Sequence, residues 1–271
     1  MNIKHQLYDI NGYKVLIMQT NNNNISVKSL IDTGYIHEEK DNLGINHLIE
    51  HVLVNGNPHC NDSSHNSSNE SNDCITHMNK SGIMMNATTG LNIVTYYTMG
   101  IKSDLHKMLN FIIETTINSE NINEKVIEKE KKAVIDELLQ NSNNSDINMY
   151  FTLFEKFYSY YGLNNFFNYN QQIENLKHLN EHKLKEFYKK YYNNIIFVVS
   201  GNFNETEKQE LLNLFNSSLS KYKIEKYQNT LNYKLKPSTC FKFNKEAYYL
   251  HNKNMKNTTM MLAFPSLIEN T

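Results

Sequence analysis

Gly44-Ile45-Asn46-His47-Leu48-Ile49-Glu50-His51-Val52-Leu53-Val54 sets His-x-x-Glu-His inside an otherwise apolar run. The run predicts a buried helix. Asp41 or Asn42 stands ready to cap it, because a short side-chain acceptor satisfies free N–H groups of the first turn. At 100° per residue, His51 lies about 40° round from His47 and Glu50 about 60° the other way. Both imidazoles and the carboxylate therefore share one face, and Leu48, Ile49, Val52 and Leu53 fill much of the rest. Two His one turn apart can hold a single Zn²⁺ through ring nitrogens, with the Glu between them placed to take a proton from a water the ion activates. Three titratable groups on one face of an apolar helix are costly to bury unpaired, and a metal would satisfy them. The order is the reverse of His-Glu-x-x-His and fits the inverzincin pattern.

Upstream, Leu7 to Ile10 and Tyr13 to Met18 flank Asn11-Gly12, a strong hairpin signal because both turn positions favour φ > 0. Ile25 to Ile31 alternates like a half-buried strand. Downstream, 55–81 is crowded with Asn, Ser, Asp and His, and reads as a mobile polar insertion without an apolar face. It holds His59, Cys60, His65, Cys74 and His77, whose spacings match no known metal arrangement. Gly82 to Thr89 and Leu91 to Met99 read as two strands, 102–117 as an amphipathic helix, and Asn141 to Asp146 as a polar loop. Met149 to Tyr161 reads as an aromatic-rich core helix. Asn180 to Tyr192, a strand from Asn194 to Ser200 and a helix from Asn204 to Lys221 follow.

Asn123 to Gln140 predicts a long charged helix. With Glu137 at 0°, Glu130 falls only about 20° away, and Val126, Ala133 and Val134 lie close by. Lys125, Glu128, Lys131 and Lys132 fall on the wet side, while Ile135 and Leu139 break the pattern. Glu130 and Glu137 are the acidic residues that point with the apolar stripe, and a carboxylate there needs a partner. Either could complete a two-His, one-Glu set and leave the fourth tetrahedral position to water. Spacing alone does not choose between them.

The chain's 271 residues suffice for a substantial core. A net charge of −1 favours neither nucleic acid nor an anionic membrane, and no apolar run approaches the length of a membrane span. The N-terminus resembles neither a signal peptide nor a transit sequence, and three cysteines fit a reducing compartment better than a disulfide framework. An intracellular, cytoplasmic location is the expectation.

With these pieces in hand, the chain resembles the pitrilysin/insulinase/mitochondrial-processing-peptidase family of zinc metallopeptidases. His47-x-x-Glu50-His51 matches the signature helix. Met85-Asn86-Ala87-Thr88-Thr89, followed by Thr95-Tyr96-Tyr97, is similar to the family's Asn-Ala-x-Thr strand and its partner. Glu130-Lys-Lys-Ala-Val-Ile-Asp-Glu137 is similar to the helix that carries a distant Glu ligand. Gln172 to Leu176, Leu184 to Tyr188 and Val198 to Asn202 look like later landmarks.

The resemblance implies an α+β fold with a mostly antiparallel, processing-peptidase-like sheet covered by helices. It implies one zinc ion held by His47, His51 and Glu137, with Glu50 as catalytic base and Glu130 as an accessory catalytic carboxylate. It implies that the strand at Asn86 and Ala87 pairs with an extended peptide or unfolded protein substrate. The family also joins two similar domains. Residues 1–222 would be the catalytic domain and 223–271 a linker and the start of a second, with a further domain or subunit as partner. The implied activity is zinc endopeptidase; an inactive, family-like scaffold is the alternative. A structural zinc domain fits less well, since such a site normally closes with four protein ligands.

Overall fold

The computed structural model describes residues 4–60, 74–159, 168–222 and 260–261. Strands β1 (Lys4–Ile10) and β2 (Tyr13–Gln19) form the expected hairpin. Its turn residues Asn11 and Gly12 take φ of 51° and 84°, a left-handed pair that Asn-Gly tolerates. After β3 (Asn24–Ile31) come helix α1 (Ile45–Asn55), the short α2 (Cys74–Lys80), and the pair β4 (Met84–Thr89) and β5 (Val94–Ile101). Helices α3 (Leu105–Ile117), α4 (Glu124–Asn143), α5 (Ser145–Ser159), α6 (Tyr169–His178) and α7 (Glu181–Tyr191) follow, then β6 (Ile195–Gly201) and α8 (Glu205–Leu219).

Among the described residues, six strands make one sheet in the order β1-β2-β6-β3-β5-β4, and every neighbouring pair is antiparallel except β2 with β6. The α+β expectation of a mostly antiparallel sheet covered by helices is met. The last strand enters the middle of the sheet, with Val198 opposite both Leu16 of β2 and Lys28 of β3. Strand alternation sends Val15, Ile17, Val27, Tyr96, Phe197 and Val199 into the core. Helices lie on that face: Phe215 of α8 packs 5.9 Å from Phe197, and Thr116 of α3 hydrogen-bonds Ser29 at 2.8 Å. No helix among the described residues is long and apolar enough to cross a membrane.

Helix α1 is buried on nearly all sides, so its first turn needs internal partners. Neither Asp41 nor Asn42 caps it. Gly44 occupies the N-cap with φ 91° and offers no side chain. Glu38 serves instead, accepting from the N–H groups of Gly44 at 2.8 Å and Asn46 at 2.9 Å. The Asn46 side chain then bonds Gly34 O, Glu38 and Thr33. A carboxylate six residues upstream of Gly44 thus replaces the local cap, and burial pushes Glu38 up to about 7 against these opposing bonds. Asn46→Ala is expected to destabilise the metal-free protein by about 1–3 kcal/mol, because it strands buried partners. A urea midpoint unchanged from wild type would remove Asn46 from this role.

The polar insertion is narrower than 55–81. Residues 61–73, with His65, lie outside the described residues, but α2 is folded: Cys74 and Met78 are buried in the core. Two apolar residues four apart are enough for one turn to dock against β4. The sequence favoured no framework of disulfides, and the described residues hold one pair. Cys60 and Cys74 form a disulfide across Cα atoms 5.1 Å apart, a spacing that a bridge can span. The Cys74 N–H bonds Asn55 Oδ1 at 3.1 Å, which anchors this pairing beside the end of α1. Cys240 lies outside the described residues.

The expected loop at Asn141 to Asp146 shrinks to a single-residue break. Asn144 Oδ1 accepts from the N–H groups of Asp146 and Ile147, so its side chain starts α5 as soon as α4 ends. Residues 223–259 and 262–271, where the second domain was expected to begin, lie outside the described residues.

Candidate metal centre

Helices α1 and α4 pack together, and their facing sides carry the predicted groups. The His47 and His51 rings lie 4.9 Å apart at 77° to one another. Glu137 Oε2 sits 3.5 Å from His47 Nε2 and 3.6 Å from His51 Nε2. One ligand atom from each of the three residues falls within 4.8 Å of the others. Tetrahedral zinc with bonds of about 2.0–2.1 Å wants donors roughly 3.3 Å apart, so the set fits a zinc-sized ion after small adjustments. Two nitrogens and one carboxylate oxygen also suit that metal chemically.

The helical wheel left Glu130 and Glu137 equivalent; packing separates them. Glu130 is 3% exposed and meets the other nitrogen of His51, Nδ1, at 3.3 Å. Glu137, with its side chain 45% exposed, opens toward the imidazole Nε2 atoms instead. The buried stripe of α4 runs through Ile127, Glu130, Lys131, Val134 and Leu138, so it is turned away from the Glu137-centred stripe inferred from spacing. Lys131, expected on the wet side, has its stem buried and its ammonium on Glu128. Glu130 therefore touches His51 and does not line the cleft beside it. Glu130→Gln is expected to weaken zinc binding by roughly 10–100-fold, since outer partners fix ring tautomer and basicity. Competition titration with a chelator of known affinity measures it; wild-type affinity would contradict the assignment.

Burial draws the His51 pKa down, but its bonds to Glu130 and Glu137 outweigh this and hold it up at about 9. Its hydrogen bonds to His47 and His51 hold Glu137 well below the usual carboxylate range.

Glu50 points to the same cleft but stands apart from the three ligand atoms. It is 8% exposed, and burial raises its pKa against the pull of His47, Thr89 and His51. Thr89 donates to Glu50 Oε2 at 2.5 Å. The cleft holds about 260 Å³ and is walled by Ala87, Thr88 and Thr89 on one side and by Leu138, Phe151 and Tyr169 on another. β4 is the edge strand of the sheet. Ala87 reaches the cleft, whereas Asn86 is exposed beside it and accepts from the Ala87 N–H.

Sequence reasoning missed Glu38, Phe151 and Tyr169, and passed over Thr89 as part of a motif. Only Gly44 carried a signal, since a helix start without a side chain demands a cap from elsewhere. Among the described residues, His59, Cys60, Cys74 and His77 form no metal-holding group.

Residues 14–165 match the family model described as Insulinase (Peptidase family M16), and residues 178–270 match the one described as Peptidase M16 inactive domain. The second match begins within elements that complete the sheet described above. No curated protein sequence matches the chain. Among solved structures, a protease from Helicobacter pylori is similar at 21% identity and a TM-score of 0.62, over 83% of this chain and 52% of that one. The periplasmic protease PqqL from Escherichia coli is similar at 21% identity and 0.63, over 82% and 24%. Pitrilysin is similar at 16% identity and 0.64, over 84% and 24%. The chain thus spans about half the length of the first and a quarter of the others.

Proposed function

The chain belongs to the insulinase family, peptidase family M16, and on that premise we propose that it is a zinc-dependent endopeptidase domain. The observation that supports this most is the convergence of His47, His51 and Glu137 beside a carboxylate, Glu50, that is not one of the three. A structural site would recruit a fourth protein ligand; among the described residues this set has three members.

A zinc ion held there would supply Lewis acidity, making a water easier to deprotonate and the scissile carbonyl more electrophilic. Glu50 takes the proton of the attacking water, and its raised pKa suits it to keep that proton between steps. It then delivers the proton to the departing amine, so one water and one peptide bond yield a carboxyl and an amine. The outer edge of β4, unpaired among the described residues, would give an extended peptide a backbone ladder to pair with, which selects for unfolded segments. A second domain or subunit would close the cleft, in keeping with the share of each relative that this chain spans.

The test is metal analysis of the purified chain together with cleavage of quenched fluorogenic peptides, with and without a chelator. About one zinc per chain and chelator-sensitive cleavage are expected. Zinc without any cleavage would favour the scaffold reading, to which the match described as an inactive domain lends slight support.

A further inference from the structure

We propose that Thr89 is a positioning residue that holds Glu50 in the orientation of a base and out of the metal's ligand set; this rests on the peptidase reading above. Glu50 lies on the same helix face as two imidazoles, one residue from His51. A flexible carboxylate in that place can swing toward the cation and complete a closed, four-ligand site. Something must commit one of its oxygens elsewhere. Thr89 does so through the bond from its hydroxyl to Oε2, which leaves Oε1 free for a water.

The position of Thr89 follows from strand alternation. Thr89 pairs with Val94 and Ala87 with Tyr96, and both partners are fully buried. Residues 87 and 89 of β4 are therefore the half-buried ones, turned toward α1, while the side chains of Asn86 and Thr88 are exposed. Only at 89 does a side-chain hydroxyl of the Asn86–Thr89 stretch reach Glu50. The same strand lines the cleft through Ala87, so the segment that would align the peptide also fixes the base.

The full chain carrying Thr89→Val or Thr89→Ser tests this. Val keeps the shape and strand preference of Thr but loses the donor; Ser keeps the donor and loses the methyl. Thr89→Val is expected to lower kcat roughly 10–100-fold with KM within about twofold and zinc content unchanged, because misplaced catalytic groups cost rate rather than binding. Thr89→Ser is expected to stay within about threefold of wild type. Equal kcat for Thr89→Val and wild type, or Thr89→Ser as impaired as Thr89→Val, would overturn the proposal. A wild-type chain that cleaves nothing is a failure of the peptidase reading. Crystals of the metal-free variants then decide on Thr89: the Glu50 carboxylate turned in the Val variant but not the Ser variant supports the role, and an unmoved carboxylate in both defeats it.

Discussion

Glu50→Gln abolishes peptide hydrolysis, lowering kcat by about 10³-fold or more, and leaves zinc content at the wild-type value. The two halves of this expectation have separate causes. Glutamine keeps the length and can still accept the Thr89 hydrogen bond at its carbonyl oxygen. It cannot take a proton from water, so the step that generates the nucleophile fails. The metal stays because Glu50 is not among the three residues whose ligand atoms converge. Substituting a neutral amide also removes a buried charge that burial disfavours, so thermal stability should not fall. The measurement pairs a quenched-peptide assay with metal analysis on the same preparation. Substantial residual turnover would mean that another group is the base; loss of zinc would mean that Glu50 is a ligand.

Glu137→Ala removes the metal itself. Here the drop in affinity should exceed the roughly 10–100-fold expected when an outer partner such as Glu130 is lost. With Glu137 gone, two imidazoles from one helix remain, and no other described acidic residue joins the metal-holding group. His51 would still be gripped by Glu130 through Nδ1, so α1 should remain folded and the defect should be local. Zinc per chain, measured after dialysis against a weak chelator, should fall from about one to near zero, with activity lost in parallel. Activity should not return on adding zinc at concentrations that rescue Glu130→Gln. A Glu137→Ala protein that retains stoichiometric zinc would break the ligand assignment, and with it the reason for treating α4 as half of the site. The pair Glu130 and Glu137 is informative because the two residues lie two turns apart on one helix and face different imidazole atoms.

The sequence by itself determined whatever one helix or one turn can enforce. The spacing of His47, Glu50 and His51 places them on a common face because an α-helix has a fixed period. Asn11-Gly12 makes its hairpin because both residues tolerate φ > 0. Asn123, Asn180 and Asn204 start their helices because each side chain accepts a free N–H of the first turn. Tertiary structure alone decided the remainder. It chose Glu137 over Glu130 to face the imidazole Nε2 atoms, rotated the buried stripe of α4 and buried the stem of Lys131. It also let Glu38 cap α1 from a distance, joined Cys60 to Cys74, and drew β6 between β2 and β3. Each of these depends on how one segment meets another. Two residues 20° apart on a helix are equivalent until a neighbour packs against it, and no local pattern encodes where that neighbour lies.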